Sequence, residues 1–181
     1  MFHSNTELLT DYWRGQRRGD AAPARADIDP ARFAPLLPQV FIAGRRASGV
    51  YPLRLVGEFI IDLHRRVLRG DDHALFWAPG HRLELHLALE RALRHPEPVV
   101  ISAEGRTDED MDLRLEVLYA PLAGPDGEVD RFLGLYQPTS EVALLRGRPV
   151  RELMIRAVGG LERSLVTPRL RLAALDGRRI A

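Results

Sequence analysis

Residues 111–119 read Met111-Asp112-Leu113-Arg114-Leu115-Glu116-Val117-Leu118-Tyr119. Apolar Met111, Leu113, Leu115, Val117 and Tyr119 alternate with Asp112, Arg114 and Glu116, and Leu118 alone breaks the pattern. Successive side chains of a strand point to opposite faces, so a period of two predicts a half-buried strand. Leu115 and Val117 are expected together on a helix-covered face, with Arg114 and Glu116 on the other. The turn Gly124-Pro125-Asp126-Gly127 follows, and Val129 to Gln137 reads as the hairpin partner. Upstream, residues 98–106 place Val99, Ile101 and Ala103 on one side of a further strand.

Toward the N-terminus, residues 80–95 carry Leu85, Ala88, Leu89 and Ala92 at helical spacing, with Leu83 and Leu87 on roughly the opposite side. Residues 58–78 predict short helices and turns, with Asp71 or Asp72 as a cap. Val40-Phe41-Ile42-Ala43 and the alternating Tyr51, Leu53 and Leu55 predict a hairpin, with Pro52 at a strand end. Asp29-Pro30 has the form of a helix start that ends at Pro38. Ser4-x-x-Glu7 has the form of a capping box for a helix over residues 5–14, with Leu8, Leu9, Tyr12 and Trp13 as its apolar stripe. A helix this short needs a surface to dock on.

The order is strand, strand, short helices, longer helix, then three strands. It predicts an α+β architecture: a five-stranded antiparallel sheet with helices on one face, plus an N-terminal helix and a C-terminal extension. The expected divisions are an N-terminal helical cap over 1–37, a core over 38–140 and an Arg-rich extension over 141–181. That extension holds nine arginines against four acids, and its residues 165–175 are compatible with either strand or helix.

The 181 residues suit one domain with extensions. Apolar residues make up 45% and charged residues 28%, enough for a core and a solvated surface. All 26 basic residues are arginine, and the net charge of +1 makes no electrostatic case for nucleic acid or an anionic membrane. The arginines of the extension are scattered and lack interleaved aromatics, so nucleic acid is an unlikely partner. No segment approaches the roughly 20 apolar residues of a membrane span. The absence of cysteine excludes disulfides, thiolate metal sites and cysteine nucleophiles, and agrees with a cytoplasmic location.

Five features together resemble a PAS-domain family of small proteins common in alphaproteobacteria: Tyr12-Trp13; Asp27-Ile28-Asp29-Pro30; Leu36-Leu37-Pro38; Arg54-Leu55-x-Gly57; and Leu68-x-Gly70 with Trp77. The resemblance covers roughly residues 5–140. It implies a PAS fold, a cytoplasmic location and a signalling or regulatory role, and it carries over no catalytic residue. Two departures stand out. Glu58 follows Gly57 where members show Thr, and Gln137-Pro138-Thr139 replaces an Asp-x-Thr exit, with no heptad helix behind it.

No nucleophile elbow, phosphate loop, dinucleotide fingerprint or zinc-protease spacing occurs. His81 and His86, five apart, diverge on a helix, and His64 and His73 show no metal-ligand spacing, so neither metal nor cofactor is expected. Asp108-Glu109-Asp110 reads as a solvated turn. The candidate interior site comprises His73, Phe76, Trp77, Leu115, Val117 and Leu135, an apolar wall with one titratable group, which either closes solid or leaves room for a small apolar or aromatic ligand. The resulting expectation is a regulatory, non-enzymatic module that binds an unidentified signalling protein. Leu8, Leu9, Tyr12 and Trp13 cap the sheet or pair with a second copy in a homodimer. The alternative is a small-molecule carrier or enzyme using the same interior.

Overall fold

The computed structural model describes residues 1–46 and 49–160. Helix α1 (Ser4–Gly15) leads into short 3-10 segments, Arg25–Asp27 and Pro30–Gln39. Strands β1 (Val40–Gly44) and β2 (Leu53–Val56) form the first hairpin. Helix α2 (Glu58–His64), the 3-10 turn His73–Phe76 and helix α3 (Arg82–Arg94) come next. Strands β3 (Val99–Arg106), β4 (Asp112–Ala123), β5 (Val129–Pro138) and β6 (Glu152–Gly160) complete one antiparallel sheet in the order β2-β1-β5-β4-β3-β6.

The sheet has six strands rather than the expected five. β6 arises inside the Arg-rich segment and pairs along β3 from Val99↔Gly160 to Arg106↔Glu152. Its composition gave no clean period of two, since Leu153, Met154 and Ile155 are consecutive and all buried. Residues 165–175, compatible with strand or helix, lie outside the described residues.

Both faces of the sheet are covered. One core gathers Phe41, Leu113, Leu115, Val117, Tyr119, Phe132 and Tyr136 under α2, the His73–Phe76 turn and α3. The other gathers Val40, Leu118, Leu133 and Leu135 under α1 and the Pro30–Gln39 segment, from which Leu9, Trp13, Phe33 and Leu36 descend. Leu118 breaks the alternation because β4 turns its second face to this core. Arg114 stays exposed, whereas Glu116 is buried where α1 begins.

The helix α1 docks through Trp13, whose Nε1–H donates to the Pro121 carbonyl at 2.6 Å. Leu9 and Trp13 are fully buried within the chain, Tyr12 is half-buried and Leu8 is 49% exposed, so the expected stripe is mostly consumed by the chain's own sheet. The N-cap is His3 rather than Ser4: its Nδ1 accepts from the Asn5 N–H. His3 is held there because its own N–H donates to both Glu116 carboxylate oxygens at 3.1 Å. Two other caps match expectation. Asp29 accepts from the Ala31 N–H at 3.0 Å, and Asp72 accepts from the Ala74 N–H at 3.1 Å. The Asp108–Asp110 stretch is an exposed turn, with Asp108 and Glu109 paired to Arg151 and Arg148.

Candidate functional site: the buried histidine cluster

Asp72 fixes the entry to the interior. Its Oδ1 accepts from the Tyr51 N–H at 2.9 Å as well as from Ala74, and so pins the turn that carries His73 against the β1–β2 hairpin. His73 is 1% exposed. Its Nε2 lies 2.7 Å from the Tyr136 hydroxyl on β5, and its Nδ1 lies 3.0 Å from the Tyr119 hydroxyl on β4. A neutral imidazole has one N–H and one bare nitrogen, so one hydroxyl accepts and the other donates. Rings close the space around it. The Phe41 centroid is 4.7 Å from that of His73, Phe76 is at 5.4 Å, Tyr119 at 5.5 Å and Tyr136 at 5.7 Å.

His64, the last residue of α2, is a second buried imidazole. Its Nδ1–H donates to the Val150 carbonyl at 2.9 Å, and its ring packs 5.1 Å from Phe76. Its Nε2 is buried with no hydrogen-bond partner among the described residues.

Burial sets the charge state of this interior. It lowers His73 to about 3, with His64 adding a repulsive contribution. It lowers His64 to about 4 against the opposing Val150 hydrogen bond, with Arg66 lowering it further. Burial likewise pushes the Tyr119 and Tyr136 phenols well above their ordinary range. Desolvation disfavours every charged form, so at neutral pH the interior holds two neutral imidazoles and two neutral phenols. Such a group can exchange hydrogen bonds; it presents no ionised nucleophile.

Five of the six expected interior residues meet here. His73, Phe76, Trp77, Leu115 and Val117 share one core. Leu135 does not. Cross-strand partners share a face. Val117 pairs with Tyr136 and Leu118 with Leu135, which sends Tyr136 inward and Leu135, with Leu133, under α1. A one-residue change of register exchanges the faces of an entire strand. In β5 both faces are apolar, so its sequence alone left the choice open. Tyr136, Phe41 and His64 join the interior without a local sequence signal that places them there. Tyr119 was visible as the end of the β4 alternation, although its bond to His73 was not.

The family model described as "PAS domain" matches residues 1–137. This chain belongs to the PAS-domain family. Among solved structures, the PAS chain is similar to a light-oxygen-voltage domain studied with a flavin analogue, at 13% identity and TM-score 0.48, covering 64% of this chain and 87% of that one. The dark structure of the Aureochrome1 blue-light photoreceptor domain matches at 12% identity and TM-score 0.46, covering 62% and 83%. A Rhodobacter sphaeroides light-oxygen-voltage protein matches at 11% identity and TM-score 0.47, covering 65% and 72%. No curated protein matches the PAS chain. Among the described residues, no helix is long and apolar enough to cross a membrane.

Proposed function

We propose that this PAS chain is a cytoplasmic regulatory module that acts by binding a signalling protein, without turnover, and whose interior is closed by its own side chains. The observation that carries this reading is His73, held at both ring nitrogens by Tyr119 and Tyr136 and ringed by Phe41 and Phe76 at packing distance. The Phe41, Phe76, Tyr119 and Tyr136 rings packed around His73 support an interior without room for a small molecule beside that imidazole. His73, Tyr119 and Tyr136 are neutral and satisfy one another, which favours a structural polar core over acid–base chemistry. Native mass spectrometry of the protein purified from cells tests it. The expected mass is that of the polypeptide, alone or as a dimer. A stoichiometric small-molecule adduct overturns the closed interior, and metabolite turnover abolished by His73→Phe overturns the non-catalytic reading.

One observation favours a second reading, in which the interior admits a small ligand between Phe76, Trp77, Leu115 and Val117. The bare His64 Nε2 is a buried acceptor without a donor, and such groups are usually met by water or a ligand. Under this reading an adduct is found, and Val117→Trp, which fills the space behind it, removes the adduct while the fold persists.

A further inference from the structure

A second feature lies on the opposite face of the sheet. A cleft of about 310 Å³ opens beside β1, β2 and β5, with Ile42 and Leu55 as apolar floor and Arg25, Arg54 and Arg131 on its walls. That volume is at the low end of small-molecule sites. Arg131 is already engaged, with its Nε and a terminal nitrogen on the two Asp130 oxygens at 2.6 and 3.0 Å. Arg25 and Arg54 have no ion-pair partner among the described residues. Asp130 also lines the cleft, so the walls keep a positive surplus.

Backbone irregularity aims these groups. In the β1–β2 ladder Ile42 pairs with Leu55 and Ala43 with Leu53, which leaves Arg54 as the extra residue of a bulge. In the β4–β5 ladder Leu122 pairs with Arg131 and Ala123 with Val129, which leaves Asp130 extra in the same way. Bulges redirect side chains and recur next to binding sites. The redirected Arg54 guanidinium packs close to Gly44: a Cβ built on Gly44 would come 3.0 Å from Nε and 3.4 Å from a terminal nitrogen. The glycine is what lets the guanidinium rest over the cleft floor. Arg25 reaches the rim from the short 3-10 segment Arg25–Asp27, and the residues just before it are tied to the sheet by the Ala123 N–H donating to the Pro23 carbonyl at 2.9 Å.

We infer that this cleft binds a small organic oxyanion, a carboxylate or phosphate ester with an apolar body. Arg25 and Arg54 clamp the oxygens, and Ile42 and Leu55 receive the apolar part. Guanidinium forks match both oxyanions in geometry and charge. Asp130 keeps Arg131 neutralised, so the free pair sets the preference for a small anion with one charged end. The site is independent of the buried histidine cluster and stands whether or not that interior takes a ligand.

The test is a titration of the full chain followed by amide NMR, with benzoate, phenyl phosphate and inorganic phosphate as probes. Saturable shifts at Gly44 and Leu55 are expected with at least one aromatic probe; benzoate alone identifies a carboxylate site and phenyl phosphate alone a phosphate-ester site. Arg54→Gln and Arg25→Gln should each weaken binding by about tenfold, the loss of one charged hydrogen-bonding partner. Arg69→Gln, a substitution at an exposed arginine elsewhere, should leave it unchanged. Shifts that grow without saturating, or that Arg69→Gln diminishes equally, overturn the proposal. Inorganic phosphate binding as tightly as phenyl phosphate overturns the role of the apolar floor.

Discussion

Replacing His73 by Phe strands the Tyr119 and Tyr136 hydroxyls in an apolar interior. An unsatisfied buried polar group costs about 1–3 kcal/mol, so with two hydroxyls stranded His73→Phe should destabilise the protein by about 2–6 kcal/mol in urea denaturation. Adding Tyr119→Phe and Tyr136→Phe should recover part of that loss, because apolar groups of the same shape then face one another. If the triple variant is no more stable than the single, the imidazole is not the hub of the network. Gly134 makes a different residue-level demand. It sits opposite Phe41 on β1, and a Cβ there would fall 2.0 Å from the ring. Gly134→Ala should cost about 1–3 kcal/mol through overpacking, measured by the same denaturation. Nothing in the local sequence marks this glycine, since the ring that needs the space comes from another strand about ninety residues earlier in the chain.

At the scale of elements, β5 and β6 show what patterning can and cannot settle. Leu135 belongs with α1, so Leu135→Ala and Trp13→Ala should couple, with an interaction energy of roughly 0.5 kcal/mol or more. Leu135→Ala and Phe76→Ala, on opposite faces, should add. The reverse result in a double-mutant cycle would return Leu135 to the histidine face. β6 contributes Leu153, fully buried in the histidine-side core. Leu153→Ala should therefore cost about 2–5 kcal/mol, as large-to-small changes in a core do, although it lies beyond the residues matched by the PAS family model. β4 was legible because one of its faces is partly polar. β5 and β6 were not, because strands covered on both sides carry apolar runs in which parity disappears. α1 was legible as a helix, but its cap moved from Ser4 to His3 through a bond to Glu116, a residue 113 positions away.

For the whole molecule, the two buried imidazoles make stability depend on pH. An unfolded histidine titrates near 6.5. His64 and His73 are lowered to about 4 and about 3 in the folded protein. Between these values the unfolded chain binds protons that the folded chain refuses, so stability falls as pH drops from about 6.5 toward 4, and is fully present above 6.5. For His64 alone the loss is on the order of 3 kcal/mol by pH 4. The urea midpoint should decline over this window, and the decline should shrink in His64→Gln; a flat profile down to pH 4.5 would show that both imidazoles remain solvated. Assembly is the other whole-molecule question. With Leu9 and Trp13 buried in the protomer, a homodimer through α1 rests on Leu8 and Tyr12. Leu8→Glu should convert it to monomer in sedimentation velocity at high micromolar concentration without lowering the melting temperature, and a wild-type monomer there would dismiss the dimer.

The amino-acid sequence by itself determined the order of elements through β5, the β4 alternation, the Asp29 and Asp72 caps and, through dispersed motif residues, the PAS family. These are local properties: period, turn chemistry and capping act within a few residues and leave a readable trace. Tertiary structure alone decided which face of β5 looks inward, that the Arg-rich segment supplies a sixth strand, and that His73 meets two tyrosines. It also decided that bulges at Arg54 and Asp130 shape a cleft on the far face. Each of these follows from strand register, and register is set by pairing partners distant in the chain, so one residue of slip would have exchanged every face while the local pattern stayed the same.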